Sequence, residues 1–224
     1  MAGCGGHFNP DRPGCLTAQL TRLTPKNIRV KQTQIDIIRH GEPEGGRRYR
    51  GSGVDDPLSQ TGWQQMWNAI PDDAPWQQIV SSPLLRCAEF SKALSESLDI
   101  PFSINDNLKE IGFGEWEGRT PDDIEANERG ALQAFLSDPV NNRPPGAEPL
   151  HEFAQRIAEV YTEIAENHHG QHVLVVAHAG VIRAITSHVL GMALDDVYSR
   201  LKIEYAAIAC TRISEGKSPV MVLR

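Results

Sequence analysis

The sequence predicts an α/β fold, a three-layer α/β/α sandwich with a mostly parallel central sheet and a small helical and loop cap. Two features predict it. Short β-branched runs, Ile35-Asp36-Ile37-Ile38 and Val173-Leu174-Val175-Val176, alternate with longer segments whose apolar residues recur every three or four positions. Strands alternating with helices are the rhythm of a parallel sheet buried on both faces.

The elements follow in order. Residues 1–33 mix Gly, Pro, Asn, Thr and basic residues without periodicity and predict an irregular extension. A single domain, 34–224, is expected after it. Its signals are a strand at 34–39, a helix at 59–69, a strand at 78–82, a helix at 84–98 and a short strand at 102–104. Segment 105–149 carries Gly112, Gly114, Gly118 and the Pro144-Pro145-Gly146 break, with helical pieces at 121–127 and 129–137, and predicts the cap. Phe153, Ile157, Val160 and Ile164 then describe a helix of about four turns with one buried face, and Pro149 suits its first turn. A central strand at 171–177, a helix at 180–190 and strands at 202–211 and 219–223 complete the sheet.

Composition narrows the function. Of 224 residues, 40% are hydrophobic, enough for a substantial core. The 22 basic and 29 acidic side chains leave a net charge of -7, which argues against nucleic acid or an anionic membrane as partner. An anionic substrate would need a local basic pocket. The longest apolar stretch, 173–185, is broken by His178 and Arg183 and falls short of the roughly 20 residues of a membrane helix. The start lacks the apolar core of a signal peptide, so a cytoplasmic location is expected. Four scattered cysteines, Cys4, Cys15, Cys87 and Cys210, fit a reducing compartment and receive no chemistry.

Chemistry concentrates where strands end. Arg39-His40-Gly41-Glu42 closes the first strand with a cation and an imidazole, which suits a bound phosphate and a nucleophilic nitrogen. Read alone it is an ordinary polar turn. Val80-Ser81-Ser82-Pro83-Leu84-Leu85-Arg86 is a second strand-to-helix passage, with Ser82 as N-cap, Pro83 as first helical residue and Arg86 in the first turn. Arg86 is either a solvated helix cation or a bidentate phosphate grip. Val176-Ala177-His178-Ala179-Gly180 is the third, where free amides and the positive helix end would face an anion and small residues admit a ligand. In the loop 108–118, Glu110 stands among apolar Leu108, Ile111 and Phe113, a setting that favours a carboxyl holding a proton for a leaving oxygen. Three strand ends that deliver Arg39, His40, Arg86 and His178 to one sheet edge, where ligands bind, outweigh the separate bland readings.

These motifs together, Arg-His-Gly-Glu, Ser-Pro-Leu-x-Arg, Glu followed by Phe-Gly-x-Trp-Glu-Gly, and Val-x-His-Ala-Gly-x-Ile-Arg, resemble the histidine phosphatase superfamily with its phosphoglycerate-mutase-like fold, over residues 35–210. The resemblance implies that His40 attacks phosphorus, that Arg39, Arg86 and His178 hold the phosphoryl oxygens, and that Glu110 serves as acid and then base. It implies neither metal nor other cofactor. Ala179 and Arg50 join the expected substrate contacts. His168, His169 and His172 follow a helix end beside Asn167 and Gly170 and are expected in a solvated turn rather than at a metal.

The chain departs from the family at Gly46, where many members have asparagine, at Pro43, where Ser or Thr is commoner, and at Pro149, where a serine is usual before the helix, although Glu148 is kept. Within the superfamily, residues 120–139 hold one arginine, Arg129, against five acidic residues, which favours hydrolysis over a mutase reaction that must retain a bisphosphate. Residues 113–119 and the loop around Tyr49, Arg50, Asp55, Pro57, Leu58 and Ser59 resemble the α-ribazole phosphatase branch, whose substrate is α-ribazole 5′-phosphate in cobalamin assembly. Other readings stay open: a sugar-phosphate phosphatase, a phosphoglycerate mutase, or an idle member acting as a binding module. The expected partner is a small phosphate monoester.

Overall fold

A computed structural model describes residues 31–222. The expected irregular extension therefore lies, apart from its last residues, outside the described residues. Six strands form one sheet in the order β3-β2-β4-β1-β5-β6. Strands β1 (Gln32–Arg39), β2 (Gln78–Ser81), β3 (Phe102–Ile104) and β4 (His172–Ala177) run parallel. The last two, β5 (Ile208–Ser214) and β6 (Val220–Val222), are antiparallel, so the sheet is mixed with a parallel majority.

Alternation along the strands divides the core. Ile35, Ile37, Val173 and Val175 point to one face and pack with α5 (Leu150–Asn167) and α6 (Ala179–Leu190). Ile38, Ile79, Leu174 and Val176 point to the other, against α1 (Gln60–Ala69) and α2 (Leu85–Leu98). Each such aliphatic side chain, removed wholly from water, contributes about 1.5–3 kcal/mol. The layers are thus helix, sheet, helix. Segment 105–149 carries two 3-10 turns, α3 (Pro121–Asn127) and α4 (Ala131–Ser137), gathered on Trp116, Ile124 and Phe135. Among the described residues no helix is long and apolar enough to cross a membrane.

Several boundaries differ from expectation. β1 opens at Gln32, two residues early, because Gln32 and Thr33 pair antiparallel with Ser214 and Ile213 of β5, and the buried Thr33 hydroxyl accepts the Gly170 amide. Helix α5 has 18 residues, a turn more than expected, and Pro149, expected in its first turn, is its N-cap. The strand expected at 202–211 is a loop followed by β5 at Ile208–Ser214. A helix, α7 (Leu194–Arg200), was not foreseen; Val197 is its one buried residue, too little for a helical period to register.

One buried polar group interrupts the sheet's apolar surface. Asp36, 1% exposed, receives the Trp76 indole N–H at 3.0 Å and lies 2.9 Å from His172 Nε2. His172 is therefore not part of a solvated turn: it opens β4 and faces Asp36. Burial alone would push the Asp36 carboxyl up, but bonds from His172, Trp76 and Cys210 outweigh it and hold the group below its usual 3.8. A depressed folded value means that the stabilisation is complete above about pH 3.8 and lost as pH falls through the folded value. Asp36→Asn should cost about 1–3 kcal/mol at neutral pH and flatten the acid limb of a plot of urea-unfolding stability against pH. An acid limb identical to that of the unaltered chain would refute this role.

Candidate active site

The site is assembled by strand register. In the parallel pairing of β1 with β4, Arg39 lies opposite Ala177, and the His40 amide donates to the Ala177 carbonyl at 2.9 Å. Both chains leave the sheet at one level, which brings the His40 and His178 rings to 5.2 Å between centroids. On the other side of β4, Ser81 pairs with Val176 and the Ser82 amide donates to the Val176 carbonyl at 3.0 Å. Arg86 follows in the first turn of α2. Glu110 comes from the loop after β3, and its carboxylate accepts the Gly180 amide at 3.1 Å. The five principal residues expected from the sequence thus converge on one sheet edge.

His40 is 6% exposed, and its Nδ1 lies 2.7 Å from the Gly41 carbonyl. A carbonyl only accepts, so Nδ1 carries the proton and Nε2 keeps its lone pair. Burial, then Arg86 and Arg39, hold the ring well below its usual 6.5 and keep it neutral. Gly41 permits this turn to approach α1: a Cβ there would meet the Gly62 carbonyl oxygen at 2.3 Å.

His178 is fully buried and held well below 6.5, again by burial and then Arg86. Its Nε2 lies 2.7 Å from the Ser82 hydroxyl. Ser82 was expected to cap α2, but Leu84 is the N-cap and the helix starts at Leu85, so the hydroxyl orients the imidazole. Cys87 Sγ lies 3.7 Å from His178 Nε2, and burial pushes the thiol up to about 12. It stays protonated at neutral pH and offers no thiolate.

The arginines are held by carbonyls rather than carboxylates. Arg39 donates to Ile203 O at 2.6 Å and stacks 4.1 Å over the Tyr205 ring. Arg86 donates to Gly51 O at 2.9 Å and Val54 O at 3.0 Å. The Nε of each is buried without a partner among the described residues. A guanidinium in this state is a donor waiting for an acceptor. Arg50 differs. It is bound to Asp56 at 2.8 Å and to the Glu44 and Gly46 carbonyls, and it adds to the positive field on His40. Ala179 opens α6 beside His178.

Glu110 corrects two expectations. Its oxygens are not in a purely apolar setting but accept the amides of Ile111 at 3.0 Å and Gly180 at 3.1 Å. One amide at the start of α6 that was expected to face an anion is therefore taken by this carboxylate. Gly180 is required for the contact, since a Cβ there would lie 2.1 Å from Glu110 Oε1. Among the described residues no three His, Cys, Asp or Glu side chains are grouped to hold a metal.

Sequence reasoning missed Tyr205, whose ring lies 6.0 Å from His40, because 202–211 was assigned to a strand. It also missed Arg143, just beyond the segment searched for basic residues, which donates to Gly112 O at 2.8 Å. The Asn141-Asn142-Arg143-Pro144 turn was its only signal.

With this geometry in view, comparisons are informative. Relatives include a bifunctional protein of Mycobacterium tuberculosis, 28% identical over 199 residues that cover 85% of this chain and 53% of that protein. The chain spans about half the length of that relative. The adenosylcobalamin/alpha-ribazole phosphatase of Salmonella typhimurium is 26% identical over 84% of this chain and 94% of its own. The glucosyl-3-phosphoglycerate phosphatase of Mycolicibacterium vanbaalenii is 32% identical over 75% of this chain and 78% of its own. Among solved structures, Bacillus stearothermophilus YhfR superposes with a TM-score of 0.78 at 25% identity, covering 86% of this chain and 96% of that one. The model of the histidine phosphatase superfamily, branch 1, matches residues 35–224, and the chain belongs to that superfamily.

Proposed function

We propose that the chain hydrolyses the phosphate monoester of a small metabolite through a phosphohistidine formed on His40. The observation that carries this reading is a neutral, buried imidazole with Nε2 unprotonated, set beside two guanidiniums whose buried Nε donors have no partner among the described residues. His40 Nε2 attacks phosphorus, the N–P bond forms and the ester P–O bond breaks. Arg39, Arg86 and His178 hold the phosphoryl oxygens, with the Ala179 amide beside them, while Arg50 secures the loop and the positive field. A loose transition state places charge on those oxygens, so cations fixed beforehand lower the barrier. Glu110 gives its proton to the leaving alkoxide. Water then attacks phosphorus, Glu110 takes the proton, the N–P bond breaks, and inorganic phosphate leaves. The scheme uses side chains alone and no metal.

Water rather than a second hydroxyl is the acceptor because residues 120–139 hold a single arginine among five acidic side chains. Retention of His40 and Glu110 argues against an idle scaffold. The branch resemblance makes α-ribazole 5′-phosphate one substrate to test, and the name of the 32%-identical relative makes a glycosylated phosphoglycerate another.

p-Nitrophenyl phosphate should be hydrolysed in EDTA, and His40→Ala should lower the rate by about 10⁴-fold or more. A mutant that retains normal turnover would sink the mechanism. Glu110→Gln should lose about 10²- to 10⁴-fold on an alkyl phosphate and far less on p-nitrophenyl phosphate, whose leaving group needs no proton. Equal losses on the two esters would remove Glu110 from the role of acid.

A further inference from the structure

Glu110, the acid of the proposed reaction, also lines a cavity of about 230 Å³. Glu110 and Gly180 lie at one side, Phe113, Phe135 and Tyr198 supply aromatic walls, and Arg143 and Arg183 supply the cations. Neither arginine has a carboxylate at ion-pair distance among the described residues. Arg143 spends Nη2 on Gly112 O at 2.8 Å and lies 5.3 Å over the Phe113 ring, and its buried Nε has no partner among the described residues. Arg183 spends Nε on Leu201 O at 2.9 Å and lies 5.5 Å over the Tyr198 ring. The Tyr198 hydroxyl donates to Gly180 O at 3.0 Å; burial first, and Glu110 next, hold it well above 10, so it adds no negative charge. The lining therefore sets two guanidiniums against one carboxylate, and that carboxylate is committed to the leaving oxygen.

We infer that this cavity selects phosphate monoesters whose leaving group carries a carboxylate, held by Arg143 and Arg183 as specificity-determining residues. The inference rests on the phosphatase reading, since Glu110 defines where the leaving group goes. A neutral polyol could accept a hydrogen bond from Arg143 but would bring no charge to offset the two guanidiniums, whereas a planar carboxylate supplies the charge and matches the guanidinium fork. The aromatic walls suit a short carbon skeleton, and cations lying over rings are already oriented.

The test compares kcat/KM for 3-phosphoglycerate, its methyl ester and glycerol 3-phosphate, with p-nitrophenyl phosphate as a reference monoester. The unaltered chain should prefer the free acid over the methyl ester by about tenfold to a hundredfold, the worth of a charge-assisted hydrogen bond. Arg143→Gln and Arg183→Gln should each cut that ratio to within about threefold, and Arg143→Lys should keep an intermediate ratio because the charge remains without the fork. A ratio measured within one enzyme is unaffected by partial loss of folded protein. Hydrolysis of p-nitrophenyl phosphate without preference for the acid, or a preference that survives both glutamine variants, would overturn the inference and leave the phosphatase reading standing. Failure to turn over any monoester would overturn the phosphatase reading, and this inference with it.

Discussion

The parallel pairing of β1 with β4 is the constraint on which the site depends. Parallel hydrogen bonding fixes both strands in one direction, and the register Arg39 opposite Ala177 ends them together. A slip of one residue would turn Ile35, Ile37 and Ile38 to the wrong faces, so core burial itself protects the register. The bond from the His40 amide to Ala177 O extends the ladder one step past the sheet and places the two imidazoles edge to face. Packing energy spent far from the reacting atoms thereby positions them.

Electrostatics follow from the same arrangement. Arg39 and Arg86 give Nη donors to the carbonyls of Ile203, Gly51 and Val54, so their charge is oriented but not neutralised. Burying uncompensated cations costs stability, and an ion-paired version of this pocket would fold more comfortably. It would also serve a phosphate less well. Burial first, and the field left over next, keep His40 and His178 neutral, since protonating either would place a charge away from water and beside two cations. Glu110 is the carboxylate that intrudes, tethered by the Gly180 amide. The structure thus carries local strain in charge at the site and recovers it in two apolar layers around the sheet.

Much of this was legible in the sequence because it is written in local patterns. The runs 35–38 and 173–176 announced buried strands, and the motif residues at their ends announced the chemistry. What escaped notice lacked such a pattern. Tyr205 sits in a loop whose Lys202-Ile203-Glu204-Tyr205 alternates like a strand, yet Arg39 holds Ile203 O and the β-pairing begins only at Ile208. α7 buries Val197 alone. Asp36 looked like a polar residue in a strand, and its partners Trp76 and His172 are 40 and 136 residues away, a separation that no local periodicity encodes. Ser82 was noticed for the wrong reason, as a cap, because a serine before a proline looks alike whether it serves a helix or a histidine.

The departure at Gly46 shows how a family position can be emptied without loss of order. Gly46 adopts φ +70, a conformation open to glycine at little cost, and in doing so presents its carbonyl to Arg50 at 2.8 Å. Arg50 is buried, anchored by Asp56, and bonded to Glu44 O as well, so one guanidinium fastens the loop that an amide side chain would otherwise help to organise. Its charge also falls on His40 and Arg86. The loop is thus closed by a cation whose charge falls on the His40 side of the site. Arg50 thereby adds to Arg39, Arg86, Arg143 and Arg183, none of which has an ion pair among the described residues: in a chain of net charge -7, positive charge is concentrated at this edge of the sheet, where it would draw in an anion.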